Sequence, residues 1–478
     1  MRGGGSRADE GPEGGGRDVD PGRRPGTGDG SGSLSGRTFY IATMGCQMNV
    51  YDSDLVARSL ARDGLKQVHD PEGADVILIN TCTVRAKPEQ KAYSLLGRMS
   101  RIKKRRPHVI LGVIGCLAQQ KGSGIISRFP RVDLVMGPRE IGGLPAALQK
   151  LEQGHARVVA TRLDPPPPGP PPAGKRVRDR VSAYISVMEG CDNFCAYCIV
   201  PFVRGREVSR PPGDILSEAK TLLSEGVREI TLLGQNVNSY RWEEKGDPWN
   251  FARLLRSLND LEGLLRLRFT TSHPKDLSPE LAECFGDLSR LCGHIHLPFQ
   301  AGSDAVLRRM GRGYTRKTYL ARIEKLREVR PDIAITSDVM VGFPGESPAD
   351  FEETLDLMEH VRFDALFSFC YSDRGGTRAC RMDGKIPEAE KAARLDRLQS
   401  LQEQITLEKN KDLEGRCLDV LIEGKSRRPG QFTGRTECNR IVNFSCNNIE
   451  IGRIVNVEIK EGLLHSLRGE IREGGSPA

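Results

Sequence analysis

The sequence predicts an α/β protein of several domains: an N-terminal parallel α/β sheet domain, a central partial (β/α)6 barrel, and a small all-β barrel at the C-terminal end. Three observations carry this reading. From Thr38 apolar runs alternate with amphipathic stretches; beyond a proline-rich break six further strand signals alternate with helical segments; and from about Arg416 the texture changes to short, alternating, Gly-punctuated runs. A chain of 478 residues is too long for one ordinary core and gives a prior of about three domains.

The first 36 residues hold 13 of the 53 glycines, with Pro, Ser, Asp and Arg, and no apolar core of a signal peptide. Residues 1–36 are expected to be a disordered tail; translation from a start nearer Leu34 is an alternative that N-terminal sequencing from residue 1 would reject. The runs TFYIATMG, DVILINT and HVILGVIG, each followed by a helix-like stretch, make a βαβαβ unit over 37–155, with DLVMGP adding a strand and PAALQKLEQ a closing helix. PPPPGPPP at 165–172 neither pairs into a sheet nor continues a helix, so 156–178 reads as a stiff linker.

Within 179–412, SAYISVMEG, REITLLGQNV, LRLRFTTSHP, HIHLPFQAGS, IAITSDVMVGFPG and DALFSFCYS are the six barrel strands. The site of such a barrel lies at the C-terminal ends of its strands. A long helix, AEKAARLDRLQSLQEQITLEKNKDLEG, leads into the β-barrel of 413–475, built from CLDVLIEG, FTGRTEC, RIVNFSC, RIVNVEIKEG and SLRGEI. No apolar run approaches the ~20 residues a membrane span needs, so no membrane role is expected. The net charge of +8 fits a polyanionic partner.

Thirteen cysteines without a secretion signal point to a reducing, cytoplasmic setting in which thiols ligate metal. Cys191, Cys195 and Cys198, in CDNFCAYC, directly follow the first barrel strand. Three thiolates on one short loop suit three irons of a cubane cluster, leaving one iron open. A structural zinc site would need a fourth Cys or His, and none lies close in sequence. Cys46, Cys82 and Cys116, in MGCQMN, NTCTV and IGCLAQ, each stand directly after a strand of the N-terminal unit. The carboxyl ends of parallel strands share one edge, so these three become neighbours and suit a second cluster; three cysteines that only pack are the alternative. The other seven have no ligand spacing, and Cys292, His294 and His296 read as a packed strand.

The cysteine loop, its place after strand one and the aromatic Tyr197 resemble the radical S-adenosylmethionine (SAM) superfamily. That resemblance implies that the open iron chelates SAM and that reduction yields a 5′-deoxyadenosyl radical. It also implies SAM contacts from Tyr197, from Gly234 and Gln235 in the place of a Gly-Gly-Glu element, and from Gln300 and Asp338. Leu233 and Gln235 depart from that element's usual residues.

Two groups of three cysteines, a SAM barrel and a C-terminal β-barrel, in that order, resemble the radical SAM methylthiotransferase family, whose tail is called the TRAM domain. LLGQNVNSY, TTSHP, RMGRGYT, SDVMVGFPGE and GRTECNRIVNF resemble its MiaB type. The resemblance implies methylthiolation of carbon 2 of N6-isopentenyladenosine, beside the anticodon of tRNA, with SAM as methyl donor and radical source and two 4Fe-4S clusters as cofactors. Relatives acting on threonylcarbamoyladenosine or on a ribosomal-protein aspartate, and a non-catalytic iron–sulfur RNA-binding protein, are the alternatives. Implied partners are the tRNA anticodon stem-loop, an electron donor such as flavodoxin or ferredoxin, and a sulfur donor; a monomer is expected. No catalytic residue beyond the cluster ligands is assigned. Lys425, Arg427, Arg428, Arg435 and Arg440 are the expected RNA contacts; Phe432, Phe444 and His465 are either stacking surfaces or core, and the basic run Arg101 to Arg106 is either an auxiliary grip or a solvated helix end. Truncation after Glu414 is expected to weaken tRNA binding and leave SAM cleavage intact.

Two cluster sites imply about eight irons per chain after anaerobic reconstitution. The expected outcome in Cys46→Ala is loss of half that iron, read by colorimetric iron analysis; an unchanged count would remove the second site.

Overall fold

The computed structural model describes residues 34–83, 86–164, 181–446 and 449–472, without the side chains of 86–88. The expected linker at 165–172 and most of the expected disordered tail lie outside them.

In the N-terminal part, β1 (Thr38–Met44), α1 (Gln47–Arg62), β2 (Lys66–Gln67), β3 (Val76–Thr81), α2 (Ala86–Arg105), β4 (Ile110–Ile114), α3 (Cys116–Lys121), α4 (Gly124–Arg128), β5 (Leu134–Met136), α5 (Leu144–Glu152) and β6 (Val158–Ala160) follow one another. The sheet order is β2-β1-β3-β4-β5-β6, and every pairing is parallel. A parallel sheet is covered on both faces, and here β3 and β4 are buried throughout. One face packs with α1 and α5, and the other with α2, α3 and α4. Two expectations change. Leu34 is buried in this core and Gly36 donates to the Gly64 carbonyl at 3.0 Å, so the end of the expected tail is packed. β6 lies within the expected linker because Val158 to Ala160 pair with Leu134 to Met136.

The central part contains β7 (Ser182–Ser186), β8 (Met188–Glu189), α6 (Val200–Arg204), β9 (Val208–Ser209), α7 (Pro212–Ser224), β10 (Glu229–Leu233), β11 (Arg241–Glu244), β12 (Asp247–Asn250), α8 (Phe251–Asn259), β13 (Arg266–Phe269), α9 (Pro279–Asp287), β14 (His294–His296), α10 (Asp304–Met310), α11 (Arg316–Val329), β15 (Ala334–Val341), α12 (Pro348–Val361), β16 (Ala365–Cys370) and α13 (Glu388–Lys411). The six expected strands form two parallel three-stranded sheets, β7-β10-β13 and β14-β15-β16. Among the described residues an isolated bridge, Leu267 to Leu291, links β13 to the segment that leads into β14. The hairpin β11-β12, with Trp242 opposite Trp249, is an insertion that the sequence pattern does not announce. In β15 the even-numbered Thr336, Asp338 and Met340 are half-exposed while the odd-numbered residues are buried. One side of this strand therefore faces the open interior and the other faces the helices.

The tail forms a closed barrel in the order β17-β18-β19-β21-β20, from β17 (Cys417–Lys425), β18 (Gln431–Thr436), β19 (Ile441–Ser445), β20 (Ile454–Gly462) and β21 (Leu467–Ile471). Phe432 and Phe444 stack at 6.4 Å inside it, so these two rings are core and offer no surface to a base; His465 is exposed.

This barrel caps the N-terminal ends of the central strands. Arg266 donates to the carbonyls of Arg435 and Asp419 at 2.5 and 2.8 Å, and Arg268 to those of Glu437 and Thr436 at 2.7 and 2.9 Å. Glu437 accepts from the Gly293 amide and pairs with Arg330. Arg440 donates to Asp364 at 2.6 Å and to Asn410 at 2.9 Å, which commits it to this seam and not to phosphate. Burial acts to raise the Asp364 carboxyl, but Lys409 and Arg440 hold it below the ordinary range. Arg435 is occupied by Glu423 and Asn439.

The truncation expected to spare SAM cleavage therefore strips partners from Arg266, Arg268 and Asp364. A buried polar group left unpaired costs about 1–3 kcal/mol, more if charged. Truncation after Glu414 is now expected to lower the thermal midpoint of the remaining chain by well over ~5 °C, measured by circular dichroism.

Candidate active site

The N-terminal cysteines are brought together as strand ends. Thr43 pairs with Asn80, and Asn80 with Ile114, so β1, β3 and β4 finish side by side. Cys46 follows β1 by two residues, Cys82 follows β3 directly and Cys116 opens α3. The Cys82 amide donates to the Met44 carbonyl at 3.0 Å. Beneath them lies a buried amide pair: Asn49 donates to the Asn80 side chain at 3.0 Å, and Asn80 donates to the Asn49 carbonyl at 2.9 Å and to Ser53 at 3.0 Å. Two glycines with positive φ make the close approach possible. A Cβ on Gly45 (φ +137°) would lie 2.4 Å from Cys82 Cβ, and one on Gly115 (φ +90°) 2.3 Å from Asn80 Oδ1.

These thiols differ in environment. Cys82 and Cys116 are buried and Cys46 is exposed. A hydrogen bond with Cys82, helped by the charge of Arg204, brings the Cys46 thiol down to about 6. Burial pushes Cys116 up to about 11, against the pull of Arg204.

The second group sits at the C-terminal end of the first barrel strand. Cys191 and Cys195 are buried and Cys198 is half-buried. Burial raises the Cys191 thiol and pushes Cys198 up to about 12. Buried Arg312 is the main residue here that sequence reasoning missed. Its Nη1 stands 3.3 Å from Cys195 Sγ and 3.4 Å from the Tyr197 hydroxyl, and Nη2 donates to the Pro298 carbonyl at 3.2 Å. It lies in RMGRGYT, where its charge gives no hint of burial 117 residues from Cys195.

Of the residues expected to contact SAM, Gln235 accepts from the Gly190 amide at 2.6 Å and so anchors the approach to the cysteine loop. A Cβ on Gly234 would meet Met188 at 2.5 Å, so this position takes no side chain. Gln300, at φ +66°, bridges to Val339, and Asp338 stands 3.6 Å from His296. His294 and His296 both hydrogen-bond Thr336, and burial keeps His294 neutral by lowering it to about 3. Polar groups thus line the barrel interior beside the exposed ring of Phe367. At the ends of β10 and β13, buried Ser272 Oγ and His273 Nε2 have no protein partner among the described residues. His273 Nδ1 accepts from the Lys275 amide, so its neutral ring carries the proton on Nε2.

Among the described residues, no group of three or more His, Cys, Asp or Glu is placed to hold a single metal ion. A cubane makes a different demand, one thiolate on each of three separate irons. Three thiols per group, two of them buried in each, with an arginine at hand, suit that demand in donor chemistry and in charge.

Of the expected RNA contacts, Lys425, Arg427 and Arg428 are exposed on the β17–β18 hairpin. In the basic run, Arg105 pairs with Glu72, Arg106 with Asp75 and Lys103 with Asp133, which leaves less free charge than the sequence suggests.

Comparison with known proteins agrees with this architecture. Residues 38–137 match the model of Uncharacterized protein family UPF0004, 185–358 the Radical SAM superfamily and 411–471 the TRAM domain. The chain is 51% identical over 440 residues to the tRNA-2-methylthio-N(6)-dimethylallyladenosine synthase of Syntrophus aciditrophicus, covering 92% of this chain and 95% of the relative. It is 49% identical over 456 residues to the enzyme of that name from Desulfosudis oleivorans, covering 91% and 96%. The radical S-adenosylmethionine methyltransferase TsrM from Kitasatospora setae, solved with cobalamin and a 4Fe-4S cluster, shares the fold with a TM-score of 0.53 at 14% identity, over 83% of this chain and 80% of that one. These matches define a radical SAM enzyme with a UPF0004 region before the barrel and a TRAM domain after it. The chain belongs to the tRNA-2-methylthio-N(6)-dimethylallyladenosine synthase family.

Gly115→Ala is expected to cost about 2–5 kcal/mol, from overpacking against Asn80 and a positive φ. Thermal unfolding checks the cost, and iron analysis of the reconstituted variant should find the N-terminal site depleted.

Proposed function

We propose that this chain transfers a methylthio group to carbon 2 of N6-isopentenyladenosine at position 37 of tRNA, consuming SAM both as methyl donor and as radical source. The observation that carries the reading is 51% identity across 92% of the chain to a synthase of that name. The same names favour the isopentenyl substrate over threonylcarbamoyladenosine or a protein aspartate.

Cys191, Cys195 and Cys198 hold one 4Fe-4S cluster, and Cys46, Cys82 and Cys116 the other. When bound, the two groups supply what side chains lack: one-electron cleavage of SAM to a radical able to attack an unactivated C–H bond, and a sulfur species to be transferred. The chain's own residues do the positioning. Arg312 steadies Cys195 and Tyr197 from behind the loop. Gln235 fixes the turn at Gly190. Asp338 and Gln300 offer polar groups to SAM within the barrel, and Gly234, whose Cβ direction is filled by Met188, offers its backbone. Exposed Cys46 marks the open side of the N-terminal site.

Lys425, Arg427 and Arg428 meet tRNA phosphates; Arg435 and Arg440 support them from within the fold. The reading also includes a small electron donor such as flavodoxin or ferredoxin, a sulfur donor, a monomeric chain and a cytoplasmic setting. Among the described residues no helix is long and apolar enough to cross a membrane.

Nucleoside mass spectrometry of tRNA from a strain lacking this chain tests the reading. Isopentenyladenosine without the methylthio group is expected to accumulate, and complementation with the wild type to restore the modification. A Lys425→Ala/Arg427→Ala/Arg428→Ala variant should restore less, and in purified form its log affinity for tRNA should fall with log salt by a slope shallower by about 2–3. An intact modification in the deletion strain overturns the reading.

A further inference from the structure

Between the two cysteine groups lies a buried knot of charge. Arg204 ends α6, six positions after Cys198, and its side chain is 3% exposed. One side of its guanidinium meets Asp52 of α1 at 2.5 Å, and the other meets Glu189, two residues before Cys191, also at 2.5 Å. Arg139 completes the knot, 3.5 Å from Glu189 and donating to the carbonyls of Arg204 and Arg206 at 3.1 and 2.8 Å. Cys116 packs against Ile199 and Val203 of the Cys198 side. Arg204 is the next residue after Val203 on α6, so its charged group leaves the helix beside the contact that holds Cys116.

Two cations and two carboxylates balance one another, yet taking four charges out of water is costly, and apolar side chains would join the same surfaces at less expense. Negative charge arriving at the thiolates gives the cation a purpose. A carboxylate on each side holds the guanidinium in one place, where a lone arginine would turn toward solvent. The same helix carries Ile199 and Val203, so the Cys116 corner is fixed relative to the loop that ends at Cys198.

We propose that Arg204, braced by Asp52 and Glu189, is a positioning residue for the cluster held by Cys46, Cys82 and Cys116, fixing its Cys116 corner against the radical-generating loop and offsetting the negative charge of its reduced form. This rests on the assignment of the two cysteine groups given under Proposed function and adds a residue that binds neither cluster. Neighbouring charge and hydrogen bonds to ligand sulfur set a cluster's potential. Removing the cation disfavours the more negative, reduced state, so the potential falls.

The test uses the full-length chain with Cys191, Cys195 and Cys198 all changed to Ala, reconstituted anaerobically, so that about four irons load at the remaining group. Reductive titration followed by electron paramagnetic resonance is then run on this parent, on Arg204→Lys, on Arg204→Gln and on Arg204→Gln/Asp52→Asn. The Gln variant should lose at least tenfold in its one-electron reduction equilibrium, a fall of about 59 mV or more. The Lys variant, which keeps the charge, should recover most of it. The double variant removes one charge of each sign and covers the case in which the single Gln variant does not fold; the lost carboxylate offsets the lost cation, so its potential should stay within about 59 mV of the parent's. Iron retained with an unchanged potential in the Gln variant, or with a larger fall in the double variant, overturns the proposal. Equal effects of Lys and Gln, or loss of iron in every variant, also overturn it, since both describe a merely structural arginine. A parent that loads no iron overturns the cluster assignment itself, and this inference with it.

Discussion

The C-terminal ends of parallel strands are the constraint on which everything else here depends. A parallel ladder brings every strand to the same edge, so a residue placed just after each strand meets its counterparts without any local sequence relation. Cys46, Cys82 and Cys116 are spread over 71 positions and stand at the ends of three adjacent strands. Such convergence needs tight backbone, which Gly45 and Gly115 supply, and a rigid floor, which the Asn49–Asn80 pair supplies. The second cysteine group uses the same edge of a different sheet. Two sheets of unlike topology thus present thiols in one chemical form.

Buried charge pairs join the regions of the chain, beside apolar contacts such as Leu233 with the N-terminal core. Arg58 of α1 pairs with Glu225 at the end of α7 at 3.0 Å, and Arg210 pairs with Glu218 of α7 at 2.8 Å, where Tyr51 of α1 reaches both. Tyr51 lies between Arg210 and Glu218, and its hydroxyl is pushed well above the ordinary range by burial. Such pairs specify orientation, because a guanidinium in a low-dielectric seam tolerates few partners and few geometries. They give little net stability. Each cysteine group has a buried arginine close by: Arg312 at the Cys195 thiol, and Arg204 next to Val203, which packs on Cys116.

What could be read from the sequence was what is periodic or local. The strand runs, the cysteines that follow them and the change of texture near Arg416 all register within a window of a few residues, and the structure has strands at each of those places. Partners are not legible in that way. Arg204 meets Asp52 across 152 positions, and nothing in PFVRGREVSR distinguishes it from Arg206, which is exposed. Arg440 looked like a free cation because its acceptor, Asp364, lies 76 positions upstream. Phe432 and Phe444 could be read as core or as surface because alternation in a short strand does not say which side is inside a closed barrel. The strand β6 was hidden by its length: three residues next to a proline-rich stretch carry no period.

The seam between the TRAM barrel and the central strands has two kinds of contact that differ in what they ask of evolution. Arg266 and Arg268 grip main-chain carbonyls, so they are blind to the side chains of the segment they hold; any tail that keeps the backbone path satisfies them. Arg440 with Asp364, and Glu437 with Arg330, bind side chain to side chain and must change together. A chimera carrying another relative's tail therefore inherits the main-chain part of its seam without cost and needs matched substitutions where side chain meets side chain, at Arg440 with Asp364 and Asn410 and at Glu437 with Arg330. The domain is neither a freely exchangeable cassette nor an inseparable part of the core, but a graft with two coded joints.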